Sequence, residues 1–208
     1  EGYFGEYFYC KSETLNFIKS NTSKKLAIIL DEKNVTVENI DELSELIQLE
    51  NGKTLPESRA EIEKAIEVTE FACSIPQLST DKTVEVSQGI HCKISKKPLG
   101  VVASITPFNF PSMVPHWTIP IALVLGNSVI LKPSEIVPIS ATKIAALLQL
   151  AGLPEHVFQV LFGQKEMVEA ICDHPDIKAV SFVGSTKVAK IVYKRATASY
   201  KRALCLGG

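Results

Sequence analysis

Residues 128–135 read Ser-Val-Ile-Leu-Lys-Pro-Ser-Glu, and this stretch decides the predicted fold. The first four residues form a short run rich in apolar side chains that ends at Lys132-Pro133, which indicates a strand buried on both faces. Similar runs occupy residues 100–105, 157–161 and 177–183. Amphipathic segments lie between and after them, at residues 140–151, 164–172 and 185–198. This alternation predicts an α/β fold, with a parallel, doubly wound sheet and flanking helices.

The carboxyl ends of the predicted strands define where a ligand would bind. Parallel strands present these ends at one edge of the sheet, and ligands of doubly wound folds bind beyond that edge. We therefore expect the peptides that follow residues 105, 131, 161 and 183 to lie close together.

Two further elements are predicted upstream of the sheet. Residues 56–74 carry apolar side chains at spacings of three and four, which predicts a helix that begins at Pro56 and is ended by Pro76. Residues 84–94 alternate around Gln88-Gly89, which indicates a β-hairpin. A hairpin that is polar on one face could extend a sheet across a subunit contact.

Composition excludes several classes of protein. Hydrophobic residues make up 46% of the 208 residues and charged residues 22%, which excludes wholesale disorder. The net charge of −1 gives no field that would hold nucleic acid or an anionic membrane. No apolar run approaches the roughly 20 residues that span a bilayer. Five scattered cysteines favour a reducing compartment, and the four histidines lack metal-ligand spacing, so no metal site is expected.

Two strand ends carry groups suited to a nucleotide. Lys132 and Glu135 could both bond ribose hydroxyls, and the carboxylate would repel a 2′-phosphate, which favours NAD over NADP. The alternative is a surface turn with two solvated charges. Gly184-Ser185 opens a predicted helix, where free amides and the helix dipole favour an anion. Many strand-to-helix turns accept Gly-Ser, however, and the usual GxGxxG fingerprint is absent.

The segment 106–111, Thr-Pro-Phe-Asn-Phe-Pro, can continue neither a strand nor a helix. Its rigid backbone could hold the side-chain amide of Asn109 in a fixed place, as a donor to a developing oxyanion. The alternative is an apolar loop in which Asn109 is only a turn residue. A last predicted strand runs through Leu204-Cys205-Leu206 into the glycine turn at 207–208.

Three segments, in this order and spacing, resemble the aldehyde dehydrogenase superfamily: Pro107-Phe108-Asn109-Phe110-Pro111, residues 126–135, and Ser181-Phe182-Val183-Gly184-Ser185. The resemblance spans roughly residues 49–208 and begins with Leu49-Glu50-Asn51-Gly52-Lys53-Thr54.

Within that superfamily, residues 111–115 and 171–185 are most similar to the methylmalonate-semialdehyde dehydrogenases, which are its CoA-acylating branch.

The resemblance also implies a domain organisation. It implies an atypical N-terminal segment over residues 1–48, an NAD-binding domain over 49–80 and 98–208, and an oligomerisation hairpin over 81–97. In the atypical segment, residues 3–9 are unusually aromatic, and Val35 to Val37 interrupts an expected amphipathic helix. The family's nucleophilic cysteine lies downstream of the glycine turn. We therefore expect the catalytic-cysteine domain to be absent from this chain, and the chain alone to show no turnover.

The resemblance assigns roles to individual residues. Asn109 matches the amide that stabilises the oxyanion, Lys132 and Glu135 match contacts to the adenosine ribose, and Gly184 and Ser185 match the pyrophosphate site. The full set of cofactor-binding residues that it implies is Thr106, Phe108, Lys132, Glu135, Ile136, Gly163, Phe182, Gly184, Ser185, Val188 and Gly207.

Position 205 bears on how the family reaction would end. In that reaction a thiolate attacks an aldehyde, hydride passes to NAD, and water or CoA resolves the resulting thioester. Hydrolytic members carry a glutamate as general base directly before this Leu-Gly-Gly, whereas this chain has Cys205. A thiol of pKa about 8.5 is a poor base at neutral pH, which favours the CoA-acylating branch.

The function expected from the sequence is therefore NAD-dependent oxidation of a small semialdehyde, methylmalonate or malonate semialdehyde, to an acyl-CoA. The alternatives are a hydrolytic aldehyde dehydrogenase of other specificity and a non-catalytic nucleotide-binding module. The expected partners are the semialdehyde, CoA and further copies of the chain in a dimer or tetramer, with no nucleic acid and no membrane. The expected location is the cytoplasm, or the mitochondrial matrix in a eukaryote.

Overall fold

The computed structural model describes residues 22–208, so the aromatic residues 3–9 and Cys10 lie outside the described part. The helices are α1 (Thr22–Glu38), α2 (Ile40–Asn51), α3 (Leu55–Leu78), α4 (Met113–His116), α5 (Ile119–Val124), α6 (Pro138–Leu150), α7 (Lys165–Asp173) and α8 (Thr186–Ala198). The strands are β1 (Lys82–Ser87), β2 (Ile90–Ile94), β3 (Val101–Ile105), β4 (Ser128–Lys132), β5 (Phe158–Val160), β6 (Ile177–Gly184) and β7 (Arg202–Gly207).

Strands β3 to β7 form one parallel sheet in the order β5-β4-β3-β6-β7, which confirms the predicted fold class. The chain starts at the central strand β3, builds β4 and β5 on one side, and then crosses to build β6 and β7 on the other. The topological switch point therefore lies between β3 and β6, where folds of this class bind ligands.

Both faces of the sheet are covered, as the apolar strand β4 predicts. Val129 and Leu131 pack into a core cluster with helices α1, α3, α5 and α6. Ile130, which points to the other face, packs with helices α7 and α8. Alternate residues of one strand thus serve two separate cores, because successive side chains of a strand point to opposite faces. Full burial does not extend to the edge strand β5, whose residues are only half-buried because it has a single neighbour.

Helix α1 is continuous through residues 35–37, so the expected interruption there is wrong. Val35 packs against the apolar cluster formed by α2 and α3, and the Thr36 hydroxyl donates to Glu32 Oε1 at 3.2 Å, one turn earlier. Tertiary packing therefore outweighs the weak helix propensity of three consecutive β-branched residues. The helix ends where Asn39 donates its side-chain amide to Val35 O at 2.8 Å.

Helix α3 begins as predicted and ends later than predicted. Thr54 and Glu57 form a capping box at its start, with Thr54 N donating to Glu57 Oε2 at 3.1 Å. The helix continues past Pro76 to Leu78, so Pro76 does not end it. The proline removes one hydrogen bond, but Ile75 packs against the core and its carbonyl accepts from Ser79 N at 2.8 Å.

The predicted hairpin is present as the antiparallel pair β1–β2. Gly89 in its turn has a left-handed φ of 72°. Every residue of the two strands is exposed. The predicted boundaries of the other elements agree with the structure to within two residues.

Within residues 22–208, every helix is too short or too polar to cross a bilayer.

Leu123 offers a test of the core. Its side chain is fully buried in the cluster between the sheet and α1, α3 and α6. Leu123→Ala leaves a cavity there, and we expect it to lower the free energy of unfolding by about 2–5 kcal/mol. Leu150→Ala, at a side chain that is 73% exposed, serves as the control and should change it by less than about 0.5 kcal/mol. Urea unfolding followed by circular dichroism measures both, and equal effects would contradict the assignment of the core.

Candidate functional site

A cleft of about 510 Å³ lies at the carboxyl ends of β3, β4 and β6, across the topological switch point. We call it the edge cleft. Its lining combines seven of the residues that the sequence singled out: Thr106, Lys132, Glu135, Phe182, Gly184, Ser185 and Val188. The sequence therefore predicted residues from three different strand ends that the fold brings into one concave surface.

Lys132 and Glu135 form an ion pair on one wall of the edge cleft. Lys132 Nζ lies 2.6 Å from Glu135 Oε1, the lysine is buried, and the carboxylate is 38% exposed. Partial burial opposes ionisation of Glu135, but the hydrogen bond and charge of the ammonium outweigh it and lower its pKa below the usual range. The Glu135 carboxylate is therefore ionised at neutral pH, and its exposed part is accessible from the cleft. This geometry is not that of two solvated charges on a surface turn.

The start of helix α8 forms the opposite wall. Ser185 is the N-cap residue with extended backbone, and in the described part of the chain its hydroxyl makes no capping bond to the first turn. The Gly207–Gly208 turn packs against this helix start. Gly208 O accepts from Thr186 Oγ1 at 2.8 Å, and Gly208 N donates to Gly184 O at 3.2 Å. The Gly208 carbonyl also accepts from Thr186 N at 3.4 Å. The dipole of the helix and the remaining amides of its first turn suit a negatively charged ligand group.

Two glycines near this wall are required by close packing. A Cβ atom on Gly184 would lie 2.7 Å from Cζ of the Phe182 ring, so the ring covers this glycine. A Cβ on Gly207 would lie 3.0 Å from Cα of Thr186, so a side chain here would be tightly packed against the helix start. Phe182 itself is buried against α8.

An apolar slot between α7 and α8 completes the edge cleft. Val188 and Ile191 of α8 face Val168 of α7 across it. The remaining residues of the lining, to which the sequence analysis assigned no site role, are Ile105, Pro107, Ser134, Gln164, Lys165, Glu169, Val183 and Val192. The apolar periodicity of the two helices was visible in the sequence, but the contact between the helices was not.

Four of the predicted cofactor-binding residues lie outside the lining of the edge cleft: Phe108, Ile136, Gly163 and Gly207. The side chains of Phe108 and Ile136 are exposed, which leaves them accessible to a ligand at the rim. Gly163 follows β5 and packs on Met167, where a Cβ would lie 2.8 Å from the Met167 side chain.

Asn109 also lies outside the edge cleft, in the loop of residues 106–112, which we call the Asn109 loop. Phe108 and Asn109 are the exposed residues of this loop. The loop is held at two points. Asn51 Nδ2 donates to Phe108 O at 2.8 Å, and the buried Glu61 accepts from the backbone amides of Ser112 and Met113 at 2.7 and 3.1 Å. A side-chain amide on a loop held in this way is suited to act as a fixed donor to an oxyanion.

His116 follows this loop and has a buried partner that the sequence did not predict. Its Nε2 lies 3.2 Å from Glu32 Oε1 of helix α1, and its Nδ1 lies 2.8 Å from Ser112 O. Complete burial alone would lower the pKa of His116, but the hydrogen bond and charge of Glu32 reverse this and raise it. The pair ties α1 to the end of the Asn109 loop across 84 residues of sequence, a separation that no local pattern reveals.

Three of the four described cysteines lack the low pKa of an activated nucleophile. Burial raises the pKa of Cys172 to about 11, and burial also raises the pKa of Cys73 and Cys205. A catalytic thiol needs the opposite shift. Cys205 is half-buried on the edge strand β7. Among residues 22–208, no three histidine, cysteine or carboxylate side chains are grouped closely enough to hold a metal ion.

The model of the aldehyde dehydrogenase family matches residues 11–208. This match extends further towards the N-terminus than the resemblance over residues 49–208 that the motifs indicated. A malonate-semialdehyde dehydrogenase of Geobacillus thermodenitrificans is 45% identical over 186 residues, which are 89% of this chain and 38% of that protein. One from Halalkalibacterium halodurans is 41% identical over 191 residues, or 91% of this chain and 39% of that protein. The chain thus spans about two fifths of the length of the curated relatives it matches.

Solved structures show the same likeness. The methylmalonate-semialdehyde dehydrogenase DddC from Oceanimonas doudoroffii superposes with a TM-score of 0.91 at 42% identity, over 94% of this chain and 40% of that one. A protein of Sinorhizobium meliloti 1021, assigned as a methylmalonate-semialdehyde dehydrogenase and complexed with NAD, superposes with a TM-score of 0.92 at 39% identity. That superposition covers 96% of this chain and 41% of the other.

The pKa shifts predict how fast the cysteines react with iodoacetamide at pH 8. Cys172, with its pKa of about 11, should be alkylated at least about a hundredfold more slowly than an ordinary exposed thiol. Cys92, which is exposed on the hairpin, is the internal control and should react first among the described cysteines. Peptide mass spectrometry over a time course resolves each site. Rapid labelling of Cys172 in the folded chain would contradict its placement.

Proposed function

The chain belongs to the aldehyde dehydrogenase family, and we propose that it is the cofactor-binding part of an NAD-dependent, CoA-acylating semialdehyde dehydrogenase. The observation that carries this proposal is the edge cleft, in which the Lys132–Glu135 ion pair faces the start of helix α8. A sugar-binding pair and an anion-binding helix start on opposite walls match the two ends of an adenosine diphosphate group.

The donor set of the edge cleft fits NAD. Lys132 and Glu135 would hold the hydroxyls of the adenosine ribose, one as donor and one as acceptor. Gly184 and Ser185 would hold the pyrophosphate, and the slot that includes Val188 would hold an apolar ring. The ionised Glu135 would repel the 2′-phosphate of NADP, which supports NAD as the cofactor.

The remaining proposed contacts surround this core. Thr106 and Phe108 would contact the cofactor through their backbone, while Ile136, Gly163 and Gly207 would lie at the rim of the site. Phe182, whose ring packs closely against Gly184, would form part of the wall of the site.

Asn109 is the residue of this chain that would act on the substrate. Bound NAD would supply the acceptor for the hydride that leaves the substrate. The Asn109 amide would donate a hydrogen bond to the oxygen that becomes negative when the family's thiolate attacks the aldehyde. Its exposure at the end of a loop held by Asn51 and Glu61 leaves the amide accessible to a substrate.

A small semialdehyde is the proposed substrate and CoA the proposed acceptor of the acyl group. The relatives named above are malonate- and methylmalonate-semialdehyde dehydrogenases, which supports this substrate class. Cys205 stands where hydrolytic members carry a glutamate, and burial raises its pKa. A neutral thiol cannot take a proton from water, so an external thiol such as CoA is the more suitable acceptor.

The β1–β2 hairpin is the proposed contact between copies of the chain. Its four large apolar residues, Val84, Val86, Ile90 and Ile94, are each about half exposed or more. A hairpin with these side chains in water is stabilised when a second copy covers it, which supports a dimer or tetramer.

Glu135→Gln tests the proposed ribose contact. The change keeps the shape of the side chain and removes the charge, so we expect the Kd for NAD to rise about tenfold or more. Discrimination against NADP should fall, because the charge that repels the 2′-phosphate is gone. Isothermal titration calorimetry with NAD and with NADP measures both effects.

Glu42→Gln is the matched control for this test. Glu42 also forms an ion pair with a lysine, Lys143 Nζ at 2.7 Å, but on helix α2 outside the edge cleft. Its loss should leave the Kd for NAD within twofold. Absence of NAD binding by the wild-type chain, or equal effects of the two variants, would refute the proposed site.

CoA dependence tests the acyl acceptor. In the longer enzyme of which we propose this chain is part, steady-state NADH formation from malonate semialdehyde should require CoA, since Cys205 cannot activate water. Cys205→Glu should restore CoA-independent turnover in part, and Cys205→Ser is the control that should not. The measurement is absorbance at 340 nm, and wild-type turnover indifferent to CoA would exclude the acylating mechanism.

A further inference from the structure

The turn that joins α2 to α3, residues 50–53, reads Glu-Asn-Gly-Lys and contacts both functional loops of the sheet edge. We call it the 50–53 turn. It lies outside the edge cleft, and the proposed function gives its side chains no role. Three of its four residues nevertheless make specific contacts. Glu50 and Asn51 accept or donate hydrogen bonds to segments 57 to 90 residues away in sequence. Lys53 pairs with Glu61, which in turn holds the Asn109 loop.

Glu50 holds the segment that follows the Lys132–Glu135 pair. Its Oε2 accepts from Ile139 N at 2.7 Å, and its Oε1 accepts from Ser140 N at 3.0 Å and from the Ser140 hydroxyl. These amides belong to the first turn of α6, where a carboxylate is favoured by the helix dipole. Only three residues lie between Glu135 and Ile139, so this contact fixes the start of the helix that follows the turn of the ribose pair.

Asn51 holds the peptide that carries Asn109. Its Nδ2 donates to Phe108 O at 2.8 Å. That carbonyl and the Asn109 amide nitrogen belong to the same planar peptide group, so the bond restricts rotation of the plane directly before Asn109.

Lys53 holds the other half of the Asn109 loop through Glu61. Lys53 Nζ lies 2.5 Å from Glu61 Oε2 and 3.9 Å from the centroid of the Phe110 ring. The second oxygen of Glu61 accepts the backbone amides of Ser112 and Met113. Glu61 is buried, so its charge needs these partners, and the loop is held strongly where it enters α4.

The turn has a fixed shape of its own. Gly52 adopts a left-handed φ of 81°, and its amide donates to Gln48 O at 2.9 Å, which ends α2. Leu43 and Ile47 anchor that helix in a core cluster with α3 and α6. A rigid turn that contacts two loops fixes the distance between them.

We propose that the 50–53 turn is a positioning element. It sets the place of the Asn109 side-chain amide relative to the cofactor, with Asn51 positioning Asn109 and Glu50 positioning the ribose pair. This inference rests on the proposed function. Asn51 and Glu50 are adjacent in sequence but act on different halves of the site. Their loss should therefore separate catalysis from cofactor binding, which a general loss of stability would not do.

The test compares Asn51→Asp with Glu50→Ala in the longer semialdehyde dehydrogenase proposed above. Asn51→Asp replaces the donor by an acceptor of the same shape, so we expect kcat to fall about tenfold to a hundredfold with the Kd for NAD within twofold. Glu50→Ala removes the acceptor for two helix amides, so we expect the Kd for NAD to rise about threefold to tenfold, with kcat at saturating NAD within twofold.

Two control variants accompany them, one at Asn39, directly before α2, and one at Glu45 within α2. Asn39→Asp removes a bond of the same kind, from a side-chain amide to a main-chain carbonyl at 2.8 Å, and Glu45→Ala removes an exposed carboxylate of α2. Both should leave kcat and the Kd within twofold. The proposal is overturned if Asn51→Asp and Glu50→Ala change kcat and Kd together, or if neither changes them.

A second measurement uses the 208-residue chain and needs no activity. In the ¹⁵N-labelled chain, Asn51→Asp should lower the heteronuclear NOE of the Asn109 backbone amide and leave that of the Thr106 backbone amide unchanged. Asn39→Asp should alter neither NOE. Unchanged NOE values at Asn109 would overturn the proposal even if the variant enzyme were poorly folded. Failure of the wild type to bind NAD or to oxidise the semialdehyde would refute the proposed function. The NOE result depends on neither NAD binding nor activity, so it tests the positioning role separately.

Discussion

The parallel pairing of β3 with both β4 and β6 is the constraint on which the site depends. Ile105 pairs with Lys132 on one side and with Phe182 on the other, so the three strands end side by side. Thr106 N extends the ladder by donating to Lys132 O at 3.1 Å. Because the register is fixed by hydrogen bonds in the buried centre of the sheet, the polar groups just beyond it occupy one small region. The ribose pair and the helix start meet for this reason and not because they are close in sequence.

The buried lysine at the end of β4 shows how the fold and the site share one residue. Lys132 belongs to the ladder through its backbone and to the edge cleft through its ammonium group. A buried ammonium is unfavourable unless a partner accepts its hydrogen bonds, and Glu135 is that partner. The ion pair is thus required by burial as well as by the proposed ligand. The proline between them restricts the turn so that the two charges meet at 2.6 Å.

Local patterns explain which parts of the fold and site were predictable. The sheet strands, the hairpin and the edge-cleft residues at the strand ends follow from apolar runs and from the polar residues that end them. The continuous α1 and the passage of α3 through Pro76 did not follow, because packing against distant helices decides both. The partners of the Asn109 loop were invisible for the same reason: Asn51 and Glu61 precede the loop by more than forty residues. Only the fold makes them neighbours.

The position of β7 at the edge of the sheet has a practical consequence. It pairs with β6 on one side, and within the described residues no strand covers its other side. Leu204 and Leu206 are 61% and 45% exposed there, and no lysine lies on the strand to discourage pairing. Such an edge is a template for strand addition and therefore for aggregation of the isolated polypeptide. Dilute samples and a check of monodispersity by light scattering belong at the start of any solution work on this chain.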